Sequence, residues 1–126
     1  SNLRGFHWNI KGKEFYTLHE KFEEMYDDTA EKVDEIAERI LMLGEVPVHN
    51  FSEYLKISRI KETRVISEGE KAGKNILESL KTIIEAERKL METAGKIDDE
   101  ATSALMSDYI REQEKTIWML VSYFSK

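Results

Sequence analysis

The side chains best suited to chemistry lie in the first third of the chain, where two imidazoles and three carboxylates occur. They are His7, His19, Glu23, Asp34 and Glu38. Mixed imidazole and carboxylate ligands suit Fe(II), and Zn(II) competes for such a set by affinity. Carboxylates also stabilise Fe(III) by their charge, so this composition favours oxidation of a bound iron. We therefore interpret the five residues as candidate metal ligands.

Four of the five candidates share one face of a long predicted helix. No Gly or Pro occurs from residue 14 to residue 43, so the segment is predicted to be helical throughout. At about 100° per residue, His19, Glu23, Asp34 and Glu38 fall within a stripe roughly 100° wide. Along the axis, however, Glu23 and Asp34 are about 16 Å apart. No single ion reaches both within one chain, which predicts that a second copy of the helix completes the site.

The numbering of these residues fits a two-fold dimer of that helix. An antiparallel partner related by a two-fold axis pairs residues whose numbers have a constant sum. His19 with Glu38, and Glu23 with Asp34, both give 57. We therefore predict two identical sites per dimer, each taking His19 and Glu23 from one copy and Asp34 and Glu38 from the other.

Other residues of the stripe, and of the segment before it, agree with this arrangement. Tyr16 and Leu41 give the same sum, and small residues at 30 and 37 let two helices approach closely. A solvated helix face needs none of these. His7 joins the site if the chain turns back at residues 12–13, midway between the two histidines, because a helical hairpin there brings both imidazoles level.

Composition narrows the fold and the function classes. Of the 126 residues 35% are charged and one is proline, which favours an all-α protein with a single domain over residues 1–126. No apolar run approaches the ~20 residues of a membrane span and no secretory signal is visible, so we expect a cytoplasmic protein. The absence of cysteine excludes disulfides, Fe–S clusters and thiolate zinc sites. A formal net charge of −6 argues against nonspecific DNA binding by the folded body.

The helices that position the candidate ligands are delimited by glycine and capping signals. The first long helix carries a second apolar stripe, predicted to face its own bundle: Leu18, Phe22, Met25, Val33, Ile36, Ile40 and Leu43. Gly44 and Pro47 end this helix. Residues 45–65 form a long crossover with one short helix, whose start resembles a capping box of Asn50 and Glu53. His49 is a loop residue of this crossover.

Two further helices are predicted after the crossover. One runs from about Ser67 to Ala94 and ends at Gly95; the other is capped by Asp98 and continues to Phe124. A crossover of some 20 residues is typical of ferritin-like topology, so we predict a ferritin-like four-helix bundle with a short extra helix. Residues 1–11 supply only two or three turns, which predicts a truncated first helix.

At this point the sequence resembles a known family, the Dps miniferritins. The resemblance rests on HWNIKG at 7–12, LHE at 18–20, AERI at 37–40, SEYL at 52–55 and IWM at 117–119. These proteins are iron-storing, peroxide-consuming relatives of ferritin. The resemblance implies a dodecameric shell of two-fold dimers, Fe(II) and hydrogen peroxide as substrates, and a ferric mineral stored in the cavity. It also implies protection from oxidative stress.

The ferroxidase ligands that the resemblance implies are the same residues that helix spacing predicts, divided between two subunits in the same way. The family positions matching His7, His19 and Glu23 come from one subunit, and those matching Asp34 and Glu38 from its partner. Many members have Asp where this chain has Glu23. The lysine-rich N-terminal tail that some members use on DNA has no counterpart here, so we expect no direct DNA binding.

Several alternatives stay open from the sequence alone. Trp8, next to His7, either intercepts stray oxidising equivalents or is a core aromatic, and Tyr16 and Tyr26 carry the same ambiguity. The Asp and Glu residues at 98–100 and 108 are iron-entry acids by analogy with family pores, or serve capping and solubility. A non-catalytic helical dimer and a nucleoid-associated DNA-binding protein are the competing functions. A conventional ferritin is disfavoured because Glu-x-x-His does not occur.

Overall fold

The computed structural model describes residues 1–126 and contains five α-helices and no strand. In chain order they are α1 (Asn2–Asn9), α2 (Phe15–Met42), α3 (Phe51–Ile57), α4 (Gly69–Lys96) and α5 (Glu100–Tyr123). The prediction of an all-α protein with a short extra helix in the crossover is confirmed. None of the five helices combines the length and the apolar character that a bilayer crossing needs. The chain divides into two compact units, Ser1–Ala72 and Gly73–Lys126, and the single-domain assignment stays a prediction.

In the first unit, α1 folds back on the start of α2 as a helical hairpin. Gly12 adopts φ +101° in the connecting turn, a conformation that only glycine adopts without strain. The hairpin encloses a small core in which Phe6 and Phe22 meet edge to face, with ring centroids 6.1 Å apart. Ile10 and Leu18 complete this core, each about 2% exposed. The hairpin predicted at residues 12–13 is therefore confirmed.

The end of α2 is fixed by a Schellman motif. Gly44 has φ +91°, the Glu45 amide donates to the Ile40 carbonyl at 3.1 Å, and the Gly44 amide donates to the Leu41 carbonyl at 3.0 Å. The predicted stop at Gly44 is confirmed. Pro47 follows three residues later, where the chain has already left the helix.

The crossover contains α3 and a segment that is tied to α1. The Asn2 side chain donates to the Lys61 carbonyl at 2.9 Å and accepts from the Thr63 amide at 3.1 Å. Asn50 precedes α3 but makes no side-chain capping bond, so the predicted capping box is wrong. No residue of α3 is buried, so water reaches the free amides at its start and no side-chain cap is needed. His49 is an exposed loop residue, as predicted.

The second unit contains most of α4 and all of α5, and its helix connection corrects two predictions. Gly95 lies inside α4 instead of ending it. Asp98 takes the left-handed position, at φ +57°, in a Schellman motif closed by the Asp99 amide on the Ala94 carbonyl at 2.9 Å. Asp tolerates this conformation better than most residues. The N-cap of α5 is accordingly Asp99, which accepts from the Thr102 amide, and not Asp98.

The predicted core stripe of α2 is only half confirmed. Leu18 and Phe22 are buried, but Val33 and Leu43 are 57% and 54% exposed. Ile36 is 37% exposed. The eight residues of α1 span about 12 Å. This helix therefore covers only the first turns of α2, and the predicted core role of Val33, Ile36 and Leu43 is wrong for the single chain.

Candidate metal centre

Two of the predicted ligands, His7 on α1 and His19 on α2, lie directly against each other. Their imidazole rings stack with centroids 3.8 Å apart and planes 12° from parallel. His7 is 7% exposed and His19 is half-buried. The contact follows from the hairpin, since the Gly12 turn lies midway between the two residues.

Each imidazole donates a hydrogen bond to the backbone of the other residue. His7 Nδ1 lies 2.6 Å from the His19 carbonyl oxygen, and His19 Nδ1 lies 2.7 Å from the His7 carbonyl oxygen. A carbonyl oxygen only accepts, so each Nδ1 must carry the hydrogen. In the neutral ring this leaves the lone pair on Nε2, which is the form of imidazole that binds a metal. The backbone carbonyls thus hold both rings in the tautomer that is suited to metal binding.

Aromatic side chains enclose the imidazole pair. Phe15 stacks on His19 with centroids 4.9 Å apart, and Tyr26 meets His7 at 80° with centroids 5.4 Å apart. The Arg4 guanidinium lies over the Tyr26 ring, 4.6 Å from its centroid. The two histidines are therefore part of a continuous aromatic cluster on the α1–α2 hairpin.

The predicted acidic ligands all lie exposed on α2. Glu23 follows His19 by one turn, on the same face. Asp34 and Glu38 are also one turn apart, and their carboxyl groups share a hydrogen bond. This bond and the charge of Asp34 raise the pKa of the Glu38 carboxyl above its usual range, with smaller contributions from desolvation and from Glu35. Two carboxylates one helical turn apart are also suited to share a cation.

These two groups of candidate ligands do not meet within one chain. Asp34 is fifteen residues beyond His19 on a continuous helix, which places them about 22 Å apart along its axis. No group of three or more His, Asp or Glu side chains in the chain is close enough to hold a metal ion. The structure thus brings His7 to His19 and Asp34 to Glu38, and leaves Glu23 outside both pairs.

Comparison with known proteins places this geometry in a family. The family model for the ferritin-like domain matches residues 2–126. The DNA protection during starvation protein of Porphyromonas gingivalis is 50% identical over 126 residues, which are 100% of this chain and 79% of that protein. DNA protection during starvation protein 2 of Bacillus anthracis is 42% identical over 126 residues, covering 100% of this chain and 86% of that protein. This chain belongs to the Dps family of ferritin-like proteins.

A solved structure shows the same relationship at the level of the fold. The crystal structure of the Dps protein from Vibrio cholerae O1 matches with a TM-score of 0.96 and 50% sequence identity, over 98% of this chain and 78% of that one. It is described as a member of a broad superfamily of ferritin-like diiron-carboxylate proteins. The predicted ferritin-like Dps fold is therefore confirmed. Membership of this superfamily implies that the Dps chain binds iron.

The structure also corrects or extends the interpretation of the aromatic residues in this Dps chain. Trp8 is 68% exposed, so its alternative role as a core aromatic is wrong for the single chain. Tyr16, on the predicted dimer stripe, is 84% exposed. The contacts of Phe15 and Tyr26 with the imidazoles were not predicted from the sequence. Helical spacing could have predicted these contacts, because Phe15 precedes His19 by one turn and Tyr26 follows it by two turns on the same face.

Proposed function

We propose that this chain is a ferroxidase that oxidises Fe(II) with hydrogen peroxide, at sites shared between two copies, and stores the ferric product. The observation that carries this proposal is the pair of imidazoles whose Nδ1 hydrogens are both held by backbone carbonyls. Such bonds fix the tautomer and orientation that metal binding requires. A pair of histidines that served packing alone would not need both Nε2 lone pairs kept available.

We assign the ligands of one site to two chains. One copy supplies His7, His19 and Glu23, and the second copy supplies Asp34 and Glu38. Two features of the single chain support this division: the imidazole pair has no third ligand beside it, and the Asp34–Glu38 pair lies exposed on the same helix. A two-fold partner would bring the two half-sites together twice in each dimer.

Iron is the substrate of this reaction, and the ligand set fits it. Neutral imidazoles and carboxylates bind Fe(II), and the carboxylates stabilise the additional positive charge of Fe(III). Two Fe(II) ions and two protons reduce one hydrogen peroxide to two waters, so the peroxide takes both electrons together and only a one-electron side reaction forms hydroxyl radical. Zn(II) suits the same ligands and acts as a competitor.

The charge distribution supports delivery and storage of cations. Helix α2 carries nine acidic and three basic residues, a net charge of −6 that equals the formal charge of the whole chain. Repetition of this helix in a shell would concentrate negative charge and attract cations. We propose a dodecameric cage built from the two-fold dimers, acting in the cytoplasm to protect the cell from oxidative stress. Trp8, exposed beside His7, is positioned to intercept stray oxidising equivalents.

Complementation between two inactive variants tests the shared site. His19→Ala and Asp34→Ala each damage both sites of a homodimer, so each alone should lose stoichiometric Fe(II) oxidation by peroxide. In a mixed dimer, one site carries both substitutions and the other carries neither. Purified mixed dimers should therefore regain half of the wild-type oxidation stoichiometry.

The control is a mixed assembly of His7→Ala with His19→Ala. Both substitutions damage the same half of the site, so no combination of these chains restores an intact site and no recovery is expected. Recovery in this control, or its absence in the His19→Ala and Asp34→Ala mixture, would refute the shared site. Native mass spectrometry of each sample verifies that mixed dimers are present.

A further inference from the structure

The side chain of Tyr26 has a position that the proposed ligand set does not explain. It lies seven residues after His19 on α2, and its ring meets His7 at 80° with centroids 5.4 Å apart. Tyr26 is half-buried, and the Arg4 guanidinium lies 4.6 Å from its ring centroid. Arg4 and His7 both belong to α1, so Tyr26 lies between two side chains of the same short helix.

The two imidazoles differ in what holds them. His19 belongs to the long helix α2 and stacks on Phe15, one turn earlier on that helix. His7 belongs to α1, which has eight residues, and stacks on His19. Tyr26 is the other aromatic ring in contact with His7. Rotation of the His7 ring about its χ2 angle is therefore limited by His19 and by Tyr26.

Such a rotation would remove the ligand. A half-turn of the His7 imidazole carries Nδ1 away from the His19 carbonyl, which breaks the 2.6 Å hydrogen bond. The ring would then have no backbone acceptor that selects the tautomer with hydrogen on Nδ1, and the Nε2 lone pair would no longer be reserved for a metal. A bulky neighbour at right angles to the ring prevents this movement.

We propose that Tyr26, held by the Arg4 guanidinium, is a positioning residue that keeps His7 in the Nδ1-protonated orientation. The inference rests on the proposed metal-binding role of His7 and His19. The ring of Tyr26 performs this task by its shape, so phenylalanine should replace it and a non-aromatic residue should not. Arg4 contributes by restraining the Tyr26 ring through a cation–π contact.

The first measurement reads the tautomer without any metal. The chain has three histidines, so the His49→Gln background, which removes the loop histidine, leaves signals from His7 and His19 only. Solid-state ¹⁵N NMR of the histidine-labelled, assembled protein distinguishes protonated from bare ring nitrogens. Both Nδ1 atoms should be protonated with Tyr26 or Tyr26→Phe. Tyr26→Leu should show a second population with hydrogen on Nε2 of His7.

The second measurement is Co(II) affinity, followed by the visible absorption of the bound ion. Tyr26→Leu should weaken binding about tenfold, as losses of residues that orient metal ligands do, and Tyr26→Phe should stay near wild type. Arg4→Gln, at an exposed position, should weaken binding about twofold. The matched control Tyr123→Leu, on α5 in the other compact unit, should leave both measurements unchanged.

The outcomes separate this inference from the proposed function. If Tyr26→Leu keeps the wild-type tautomer and Co(II) affinity, or if Tyr26→Phe loses as much as Tyr26→Leu, Tyr26 is not a positioning residue. Should Tyr26→Leu fail to assemble, Arg4→Gln decides, since an unchanged affinity in this variant overturns the proposal that Arg4 holds Tyr26 against His7. A wild-type protein that binds no Co(II) overturns the metal site, whereas the tautomer measurement continues to test the orientation of His7.

Discussion

The two halves of α2 share one amphipathic pattern but have opposite surroundings. In the first half, Leu18 and Phe22 are 2% and 0% exposed, and the hairpin with α1 covers them. In the second half, Val33 and Leu43 of the same stripe are 57% and 54% exposed. An apolar stripe thus shows that a helix face is suited to burial, but it does not show which element buries it.

The candidate ligands divide along the same line. The first half of α2 holds His19, locked against His7 by backbone hydrogen bonds. The second half holds Asp34 and Glu38, exposed and sharing a hydrogen bond with each other. One half is ordered by contacts within its own chain, and the other is exposed where we propose that a second copy binds.

Truncation of a buried ring in the covered half should cause the greatest loss of stability. Phe22→Ala removes a ring with no exposed surface and should lower the free energy of unfolding by about 3–5 kcal/mol. Val33→Ala, in the half that only a second copy would cover, should cost the single chain no more than about 0.5 kcal/mol. Guanidinium denaturation at one fixed protein concentration measures both. Equal losses at a concentration where the chain is monomeric would show that its own helices also cover the second half of α2.

A substitution in the open half should act on assembly instead. Ala37 lies on the stripe that we assign to the second copy, so Ala37→Trp should overpack the helix pair at two places in each dimer. Each overpacked place should destabilise the dimer by about 1–3 kcal/mol. Two such places should therefore raise the dissociation constant at least about 30-fold. Native mass spectrometry should then detect the 14.8 kDa monomer. The control is Ala101→Trp, on the exposed surface of α5, which should leave the dimer intact. A dimer that survives Ala37→Trp would show that Ala37 is not in the interface.

A glycine of α4 tests how tightly the covered half is packed. A Cβ at Gly69 would lie 2.6 Å from Leu18 Cδ1 and 2.8 Å from Glu14 Oε2, whereas a Cβ at Gly95 would meet nothing within 4 Å. Gly69→Ala should therefore cost about 1–3 kcal/mol, and Gly95→Ala should gain about 0.5–1 kcal/mol from its better helix propensity. Thermal unfolding of both variants measures the difference. Gains of the same size in both would mean that the region around Leu18 has room to spare.

The sequence predicts the helices well because their signals are local. The sequence predicts a long helix from residue 14 to residue 43, and the helix runs from Phe15 to Met42. The agreement is close because the Gly12 turn and the Gly44 stop each use a conformation that glycine favours. Glycine does not mark the helix end where another residue adopts the left-handed conformation. Asp98 adopts the left-handed position at the end of α4, so the rule that places glycine there wrongly selects Gly95.

The candidate site is predictable in position but not in atomic detail. Helical periodicity places His19, Glu23 and Asp34 on one stripe, and the turn places His7 beside His19. The reciprocal bonds from Nδ1 to the backbone carbonyls depend on side-chain rotamers and on the register of two helices, which residue spacing does not fix. The exposure of Val33 likewise depends on the reach of α1, and not on the pattern within α2.

Substitution of Trp8, an exposed aromatic residue next to His7, should change the stability least. Trp8 and Trp118 are 68% and 65% exposed, so Trp8→Phe and Trp118→Phe should each change the free energy of unfolding by less than about 0.5 kcal/mol. They should differ in chemistry, because Trp8 adjoins His7 and Trp118 lies on α5 in the other compact unit. Spin trapping during Fe(II) oxidation by peroxide should detect more hydroxyl radical from Trp8→Phe than from Trp118→Phe. Equal hydroxyl radical yields from the two variants would show that Trp8 does not intercept oxidising equivalents, although it is exposed beside the imidazole pair.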